Sequence, residues 1–418
     1  MRSTFFKYVT VHSTDAASLV AAIKDNVLDA GFPIESLYFQ CYDGASNMKG
    51  QYSGVAARIL EMALKAVYIH CHSHLLNLSL QNSCSSIQPV RNCLGQVNAL
   101  YHFLEASPKR HALFTENQKA VNEGDTRSKT LKRLCETRWA SRLNSVTAIV
   151  SNFEVILVTL EAISEEKGKI GAEAHSLLAA CSTFEFLFFV TLLHEIFQVT
   201  SVLSEYLQSS RLSVAAAMQM AASCQQMLKV KRTAEHFGSL LAQTEQKSQE
   251  LDLEAPKVPR KRLVPRRIDD GGCNTFHDSI QSLYRSWFYE ILDTVTNQME
   301  HRFGENALSV LRDIESVFLD ELTDVELQQK ASSIVQMYNS LSTKLTIQLP
   351  VFRDMIAKAE PRHINDVLSA VLESRLFSAF QEVNEKHSLS YFHVGLVSIL
   401  QLGYSFVILS HKISLQLW

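Results

Sequence analysis

Glycine and proline are scarce in this chain, 14 and 8 of 418 residues, or about 5% together against a usual value near 12%. The shortage disfavours an all-β chain built on tight turns, and equally a collagen-like or linker-dominated one. An excess of charge of one sign is also missing: the formal charge is −3, so nucleic-acid contact would have to come from local basic clusters. The eight cysteines, at 41, 71, 84, 93, 135, 181, 224 and 273, form no CxxC pair, and the opening MRSTFFKYVT has no secretory apolar core. They read as reduced thiols of an intracellular protein, nuclear or cytoplasmic and not secreted. What the chain has in quantity is apolar residues, 46%, enough for sizeable buried cores. Its length predicts about two to four domains.

One stretch, residues 388–410, carries no Asp, Glu, Lys or Arg and is long enough to cross a bilayer, which takes about 20 helical residues. Its His393, Gln401, serines and two glycines argue against a span, and the expectation is that the chain has no membrane partner. The plainer readings are a buried strand and helix, or an aberrant chain end.

The first 80 residues alternate strand and helix signals. A β-rich run covers 5–11, helical apolar spacing covers 16–28, and Leu37, Phe39 and Cys41 alternate up to a turn at Asp43-Gly44. Val55, Ala56, Ile59, Leu60 and Ala63 form a helical stripe, and 66–71 reads as another buried strand feeding a helix that begins near Ser73. Such alternation with short connections predicts a sheet with parallel pairs and covering helices. Beyond residue 85 the spacing is helical over 94–104, 142–163, 172–207, 212–245, 275–303 and 325–345. Between two of these lies APKVPRKRLVPRRIDDGG, residues 255–272, whose prolines and cations predict a connector. No internal repeat of solenoid period is present.

Three constellations could carry chemistry. Asp43 ends a strand and is followed by Gly44 and Ser46, so its carboxylate could face the crevice at the strand ends and hold a divalent cation. The structural alternative is an Asx turn, or a cap on the coming helix. In YIHCHSHLLNLSL, Cys71 and His74 have C-x2-H spacing, which can grip zinc, but no second close pair stands out. Here the alternative is that both support the core, with Asn77 hydrogen-bonding backbone at the sheet end. Residues 109–142 hold nine Lys/Arg, among them Lys109, Arg110, Arg138 and Arg142, against four acids, with Trp139 beside Arg138. Cations next to a flat ring suit phosphate neutralisation and stacking on an unpaired base. Alternatively Trp139 plugs an interdomain space with Arg138 beside it. The connector cations suit nuclear import, phosphate contact or simple solvation.

Taken in order, QCYDGASNMKGQYSGVAARI, AVYIHCHSHLLNLSL, SPKRH and LCETRWASR resemble successive landmarks of hAT-superfamily transposase-derived proteins, in the domesticated group that contains the zinc finger MYM-type proteins. The likeness runs to about residue 385. It implies a ribonuclease-H-like sheet interrupted by a large helical insertion, with an Asp-Asp-Glu triad that binds two divalent metals for DNA strand cleavage and transfer. In that pattern Asp43 matches the second acid. Cys71, His74 and Asn77 match a C-x2-H-x2-N-L signature, and Arg138 and Trp139 match an Arg-Trp pair where the insertion begins. There the tryptophan is implied to support a base displaced from the DNA end.

Two departures from the pattern set the functional expectation. The first acid's strand has no counterpart ahead of FFKYVTV, and the last acid's helix has none after about Glu385. Two metals need converging carboxylates, so the chain is expected not to catalyse alone, with Asp43 a remnant. No upstream zinc-finger module is seen. The expected fold is mainly α with a small α/β part, an incomplete ribonuclease-H-like sheet followed by a large all-helical insertion. Its expected divisions are a partial α/β domain at 1–105, helical insertion at 106–250 and 275–385, a basic linker at 251–274 and an apolar tail at 386–418. The expected function is noncatalytic, in protein interaction, self-association or nonspecific nucleic-acid binding, without a cofactor. The rival is a Mg2+- or Mn2+-dependent strand-transfer enzyme or nuclease completed by a partner chain.

Overall fold

The computed structural model describes residues 11–29, 33–37, 39–50, 53–64, 66–121, 130–134, 139–209, 213–256, 279–303 and 306–337, with a few positions between 349 and 367. The expected strand at 5–11, residues 257–272 of the connector and the apolar stretch at 388–410 lie outside the described residues, apart from Val11. Among the described residues the chain is mainly helical, with one small parallel sheet. Chain contacts divide it into two compact units.

The first unit takes its described residues from Met1–Leu76, Glu205–Ala221 and His301–Trp418. Helix α1 (Ala16–Asp29) opens where the Asp15 carboxylate accepts the Ser18 N–H at 2.9 Å, a side-chain cap. Strand β1 (Phe39–Tyr42) and strand β2 (Val67–His70) pair in parallel, Phe39 opposite Val67 and Tyr42 opposite His70. Parallel pairing requires a crossover between them, made here by α2 (Ser46–Lys49) and α3 (Val55–Met62). The stripe expected at 55–63 is buried: Val55, Ala56, Ile59 and Ala63 pack with Leu19, Ile34, Tyr42, Met48 and Ala66. Gln40, in the middle of β1 and buried, donates to the carbonyls of Ala56 and Ala66, each at 3.0 Å. It thereby ties the strand to both ends of α3's surroundings. After β2 comes α4 (His72–Ser86). Helices α14 (Asn306–Leu319) and α15 (Asp324–Met337) complete this unit. They are joined by Lys330 and Asp313 at 3.0 Å, and α14 packs on β2.

The second unit covers Asn77–Ser204 and Ala222–Glu300, and its described elements are helices, with one isolated parallel bridge between Thr183 and Glu254. In chain order it uses α5 (Gln88–Glu105), α6 (Pro108–Val121), α7 (Trp139–Ser151), α8 (Phe153–Ser164) and α9 (Lys169–Cys181). There follow α10 (Phe184–Tyr206), α11 (Val214–Lys231), α12 (Ala234–Glu250) and α13 (Ile280–Phe303), of which Glu205–Tyr206, Val214–Ala221 and His301–Phe303 are counted with the first unit. Three apolar-periodic runs that read as single helices are each two. The run at 142–163 breaks at Asn152, with a bend of 74°, where the side chain donates to the Ala148 carbonyl at 2.8 Å. The run at 172–207 breaks at Ser182-Thr183, and Thr183 Oγ1 accepts the Phe186 N–H. The run at 212–245 breaks at Thr233, whose side chain accepts the His236 N–H. Each break falls on a short polar side chain that replaces a lost helical partner, the known competition of Asn and Thr with the helix backbone.

The core of this unit is aromatic. Phe184, Phe188 and Phe189 of α10 meet Phe237 of α12 and Tyr284 of α13, with the Phe188 and Tyr284 rings edge-on at 5.0 Å. Helix α10 is long and apolar enough to cross a bilayer, but 61% of its apolar window is buried inside the protein, as befits a core helix.

Candidate functional site at the strand ends

The carboxyl ends of β1 and β2 gather the polar groups of the first unit. Asp43 follows β1 directly and is half-buried, and its Oδ1 is enclosed without a hydrogen-bond partner. It does not cap the next helix: the residue before α2 is Ala45, and no side chain caps it. The Gly44 N–H donates to Nε2 of His70 at 3.0 Å. That contact needs glycine, since a Cβ there would overlap the His70 ring. His70 stacks on His74 of α4 at 5.7 Å, and His72 lies against Phe303 at 5.7 Å. Cys71 occupies the corner between β2 and α4. Its N–H reaches the Tyr42 carbonyl at 2.9 Å and its carbonyl receives the Leu75 N–H.

Burial dominates the electrostatics. It pushes His70 down to about 4, helped by His74 and Lys49, and pushes the more enclosed His72 down to about 4 as well. His74 is lowered by burial and partly restored by the Asp43 charge. These imidazoles are neutral at neutral pH, and Nε2 of His70 is an acceptor, as its bond from Gly44 requires. Cys41, from β1, hydrogen-bonds Cys71. The contact holds the Cys71 thiol below its ordinary value, with the first N–H groups of α4 assisting, and the same contact, then burial, raises Cys41. Lys49 and Arg302 both act on the two histidines from nearby.

A pair of divalent cations needs several converging carboxylates. Among the described residues no three His, Cys, Asp or Glu side chains group closely enough to hold a metal ion. One enclosed Asp43 oxygen beside imidazoles and two cationic side chains does not fit a two-metal centre, so no catalytic step is derived through one. The C-x2-H-x2-N motif instead builds the corner: Cys71 and Asn77 are buried, and His74 is half-buried in the stack.

Among the described residues of the basic cluster, Lys109, Arg110 and Arg142 are set differently. Lys109 is exposed and pairs with Glu166 at 2.7 Å. Arg110 donates to the Phe103 carbonyl at 2.7 Å and lies 4.4 Å above the Phe103 ring. It lines a groove of about 490 Å³ with His102, Ser176 and Glu173. Arg142 is only 4% exposed, on the inward stripe of α7 with Ser145, Val146 and Ile149, so it is not presented to a phosphate. Its place was readable from the i, i+3, i+4, i+7 spacing. Arg138 and the side chain of Trp139 lie outside the described residues.

Two groupings escaped the sequence reading. Cys41 meets Cys71 only because β1 and β2 are parallel neighbours. In the helical unit Glu195 accepts from Lys231 at 2.7 Å and pairs with His236 at 2.8 Å, while Arg232 forks onto Asp293 and covers Tyr289. The hydrogen bonds of Lys231 and His236 outweigh burial and lower the Glu195 carboxyl. No local spacing joins this grouping, which draws on four helices, α10, α11, α12 and α13.

The comparisons with known proteins bear on this corner. A family model described as DUF4371, ZMYM1/FAM200, RNase-like domain matches residues 2–54, a segment that includes α1, β1 and Asp43. The 52 kDa repressor of the inhibitor of the protein kinase from Homo sapiens is 25% identical over 187 residues, 43% of this chain and 24% of that protein. Its Mus musculus counterpart is 24% identical over 208 residues, 47% of this chain and 27% of that protein. These matches support the resemblance to hAT-derived proteins. The chain matches about a quarter of the length of these curated relatives, and no solved structure matches it.

Proposed function

We propose that this hAT-derived chain is a noncatalytic, intracellular interaction protein. Its β1–β2 pair is part of an incomplete ribonuclease-H-like sheet at 1–105, and 106–250 and 275–385 form the helical insertion around a basic linker at 251–274. It works through protein partners or self-association, or through nonspecific contact with nucleic acid at local basic clusters near Lys109, Arg110, Arg138 and Trp139. The observation that supports this reading is the charge at the strand ends. One carboxylate, Asp43, stands there with Lys49 and Arg302, whose positive charges oppose a pair of divalent cations that a single carboxylate cannot neutralise. A Mg2+- or Mn2+-dependent strand-transfer enzyme or nuclease, completed by acids from a partner chain, is the second reading, and the partnerless Oδ1 of Asp43 is the feature in its favour.

Incubation of the full chain with a hairpin-forming DNA end and Mg2+ or Mn2+ separates the two. No strand cleavage is expected, and cleavage abolished by Asp43→Asn would establish the enzyme instead. Salt-sensitive DNA retention that is lost in Trp139→Ala supports the nucleic-acid branch, since phosphate contacts weaken as salt rises. Self-association without DNA retention at micromolar concentration supports the protein-interaction branch.

A further inference from the structure

The first turn of α6 carries Lys109, Arg110 and His111 in succession, and the two outer residues have acids. Lys109 pairs with Glu166 at 2.7 Å and His111 with Glu105 at 3.0 Å. Arg110 has no acid among the described residues. Its Nε donates to the Phe103 carbonyl and its guanidinium lies over the Phe103 ring, which holds the group in place and leaves both Nη groups without an acceptor. A half-buried guanidinium fixed in this way is prepared to grip a carboxylate with its remaining N–H groups. The groove of about 490 Å³ that Arg110 lines also carries the opposite charge: Glu173 of α9 faces it and makes no ion pair with any described residue. The rest of the lining is mostly apolar. Ala99, Phe103 and Ala106 of α5 supply one wall at i, i+4, i+7 spacing, and Leu177 follows Glu173 one turn along α9. The alanines keep the α5 wall low, and a Cβ added at Gly95, one turn before Ala99, would meet nothing within 4 Å, so that end is open. From Ala99 to Ala106 the wall spans about 10 Å at about 1.5 Å per helical residue, the reach of about three residues of extended chain.

We infer that this groove of the helical unit is the docking site for a short extended peptide of a partner protein. The peptide sets a carboxylate on Arg110, an apolar side chain against Phe103 and Leu177, and a cationic side chain on Glu173. The inference rests on the protein-interaction reading above and gives it a surface and a partner chemistry. Charge decides against the other occupants. A nucleic acid would bring phosphates to Glu173 as well as to Arg110, and a peptide of one sign would leave one charge of the groove uncompensated. A groove this short buries little area, so the complex is weak and transient. Its central contact is the Arg110 pair, which is less screened than one made by the exposed Lys109 and joins arginine to an aromatic ring, the residue types on which binding energy concentrates.

The test pans a phage-displayed library of random peptides against the immobilised full chain. Enriched peptides are expected to share an acidic and a basic residue on either side of an apolar one, and a synthetic peptide of that sequence should bind in solution. Its affinity, read by fluorescence anisotropy, should fall about tenfold in Arg110→Gln. In Ala99→Trp, which fills the groove, binding should be lost while the thermal melt stays that of the wild type. Replacing the peptide's acid by its amide should weaken binding to the wild-type chain by the same factor and cost Arg110→Gln nothing further. The wild-type half of that comparison needs no variant to fold. Enriched peptides without an acid, or binding indifferent to Arg110→Gln and Ala99→Trp, overturn the inference. Absence of any enriched peptide overturns it too, whereas self-association of the same chain would still support the protein-interaction reading, so the two can fail separately.

Discussion

In the sheet-bearing unit the buried set includes Gln40, His70, His72 and the Cys41–Cys71 contact, whereas the helical unit encloses Phe114, Phe184, Phe188, Phe189, Phe197, Tyr284 and Phe288. Buried polar groups cost free energy unless each finds a partner, while buried rings stabilise simply by leaving water and packing edge to face. The helical unit therefore has the composition of a scaffold. The strand ends retain polar groups at a cost, including an Asp43 oxygen without a partner.

The sharpest way to probe this contrast is to remove a ring. Phe188 is fully enclosed and touches Phe184, Phe189, Phe237 and Tyr284, so Phe188→Ala should cost about 3–5 kcal/mol, read from the denaturant midpoint. A loss under about 1 kcal/mol would mean that this core is looser than its contacts imply.

Acid should act on the other unit first. His72 titrates near 4 in the folded chain against 6.5 unfolded, so below pH 6.5 the unfolded state takes up protons that the folded state refuses. Stability is complete above 6.5, falls between 6.5 and 4, and is constant below, a loss of roughly 3 kcal/mol from His72. His70 adds to it in the same direction. In the helical unit the lowered Glu195 keeps its contribution above its ordinary value of 4.5 and loses it only as pH falls through the folded value. The raised, half-buried Glu185 works the opposite way, favouring the fold as it is protonated. Hydrogen exchange followed by peptide should thus show β1 and β2 losing protection before α10 and α12 as pH is lowered from neutral. Simultaneous loss would break the comparison.

Gln40→Leu should have the smallest effect of the three. It leaves the Ala56 and Ala66 carbonyls without their donor, at about 1–3 kcal/mol for a buried unsatisfied group. Part of this is offset because the Gln40 Oε1 is itself enclosed without a partner. Chemical denaturation measures it, with exchange expected to rise in β1 and α3 and not in α12.

Much of the fold was legible. The alternation Leu37, Phe39, Cys41 and the stripe Val55, Ala56, Ile59 lead directly to β1 and α3, because side-chain period reports which face is buried. Helix breaks were harder to see, since apolar spacing runs on through Asn152, Thr183 and Thr233 while the backbone turns. Those residue types were the available signal. Helices α6 and α14 were not anticipated; α6 shows almost no apolar asymmetry, with Phe114 and Gln118 as its buried residues. Of the candidate site, the gathering of Asp43, Cys71 and His74 near the strand ends was legible from motif spacing, whereas a count of charges along 109–142 gave no directions for Lys109 and Arg142. Charge counted along a chain says nothing about direction, and Arg142 turns inward while Lys109 stays in solvent.

The order of residues by itself determined the local periods, the helical majority and the place of a carboxylate just after a strand, because these depend on neighbours within a few positions. Only the tertiary structure decided that Cys41 and Cys71, thirty residues apart, share a contact, that Glu195 gathers Lys231 and His236, and that Gly44 must stay small beneath His70. Such neighbourhoods follow from strand register and helix packing, which join distant segments through shape and burial that no local pattern records.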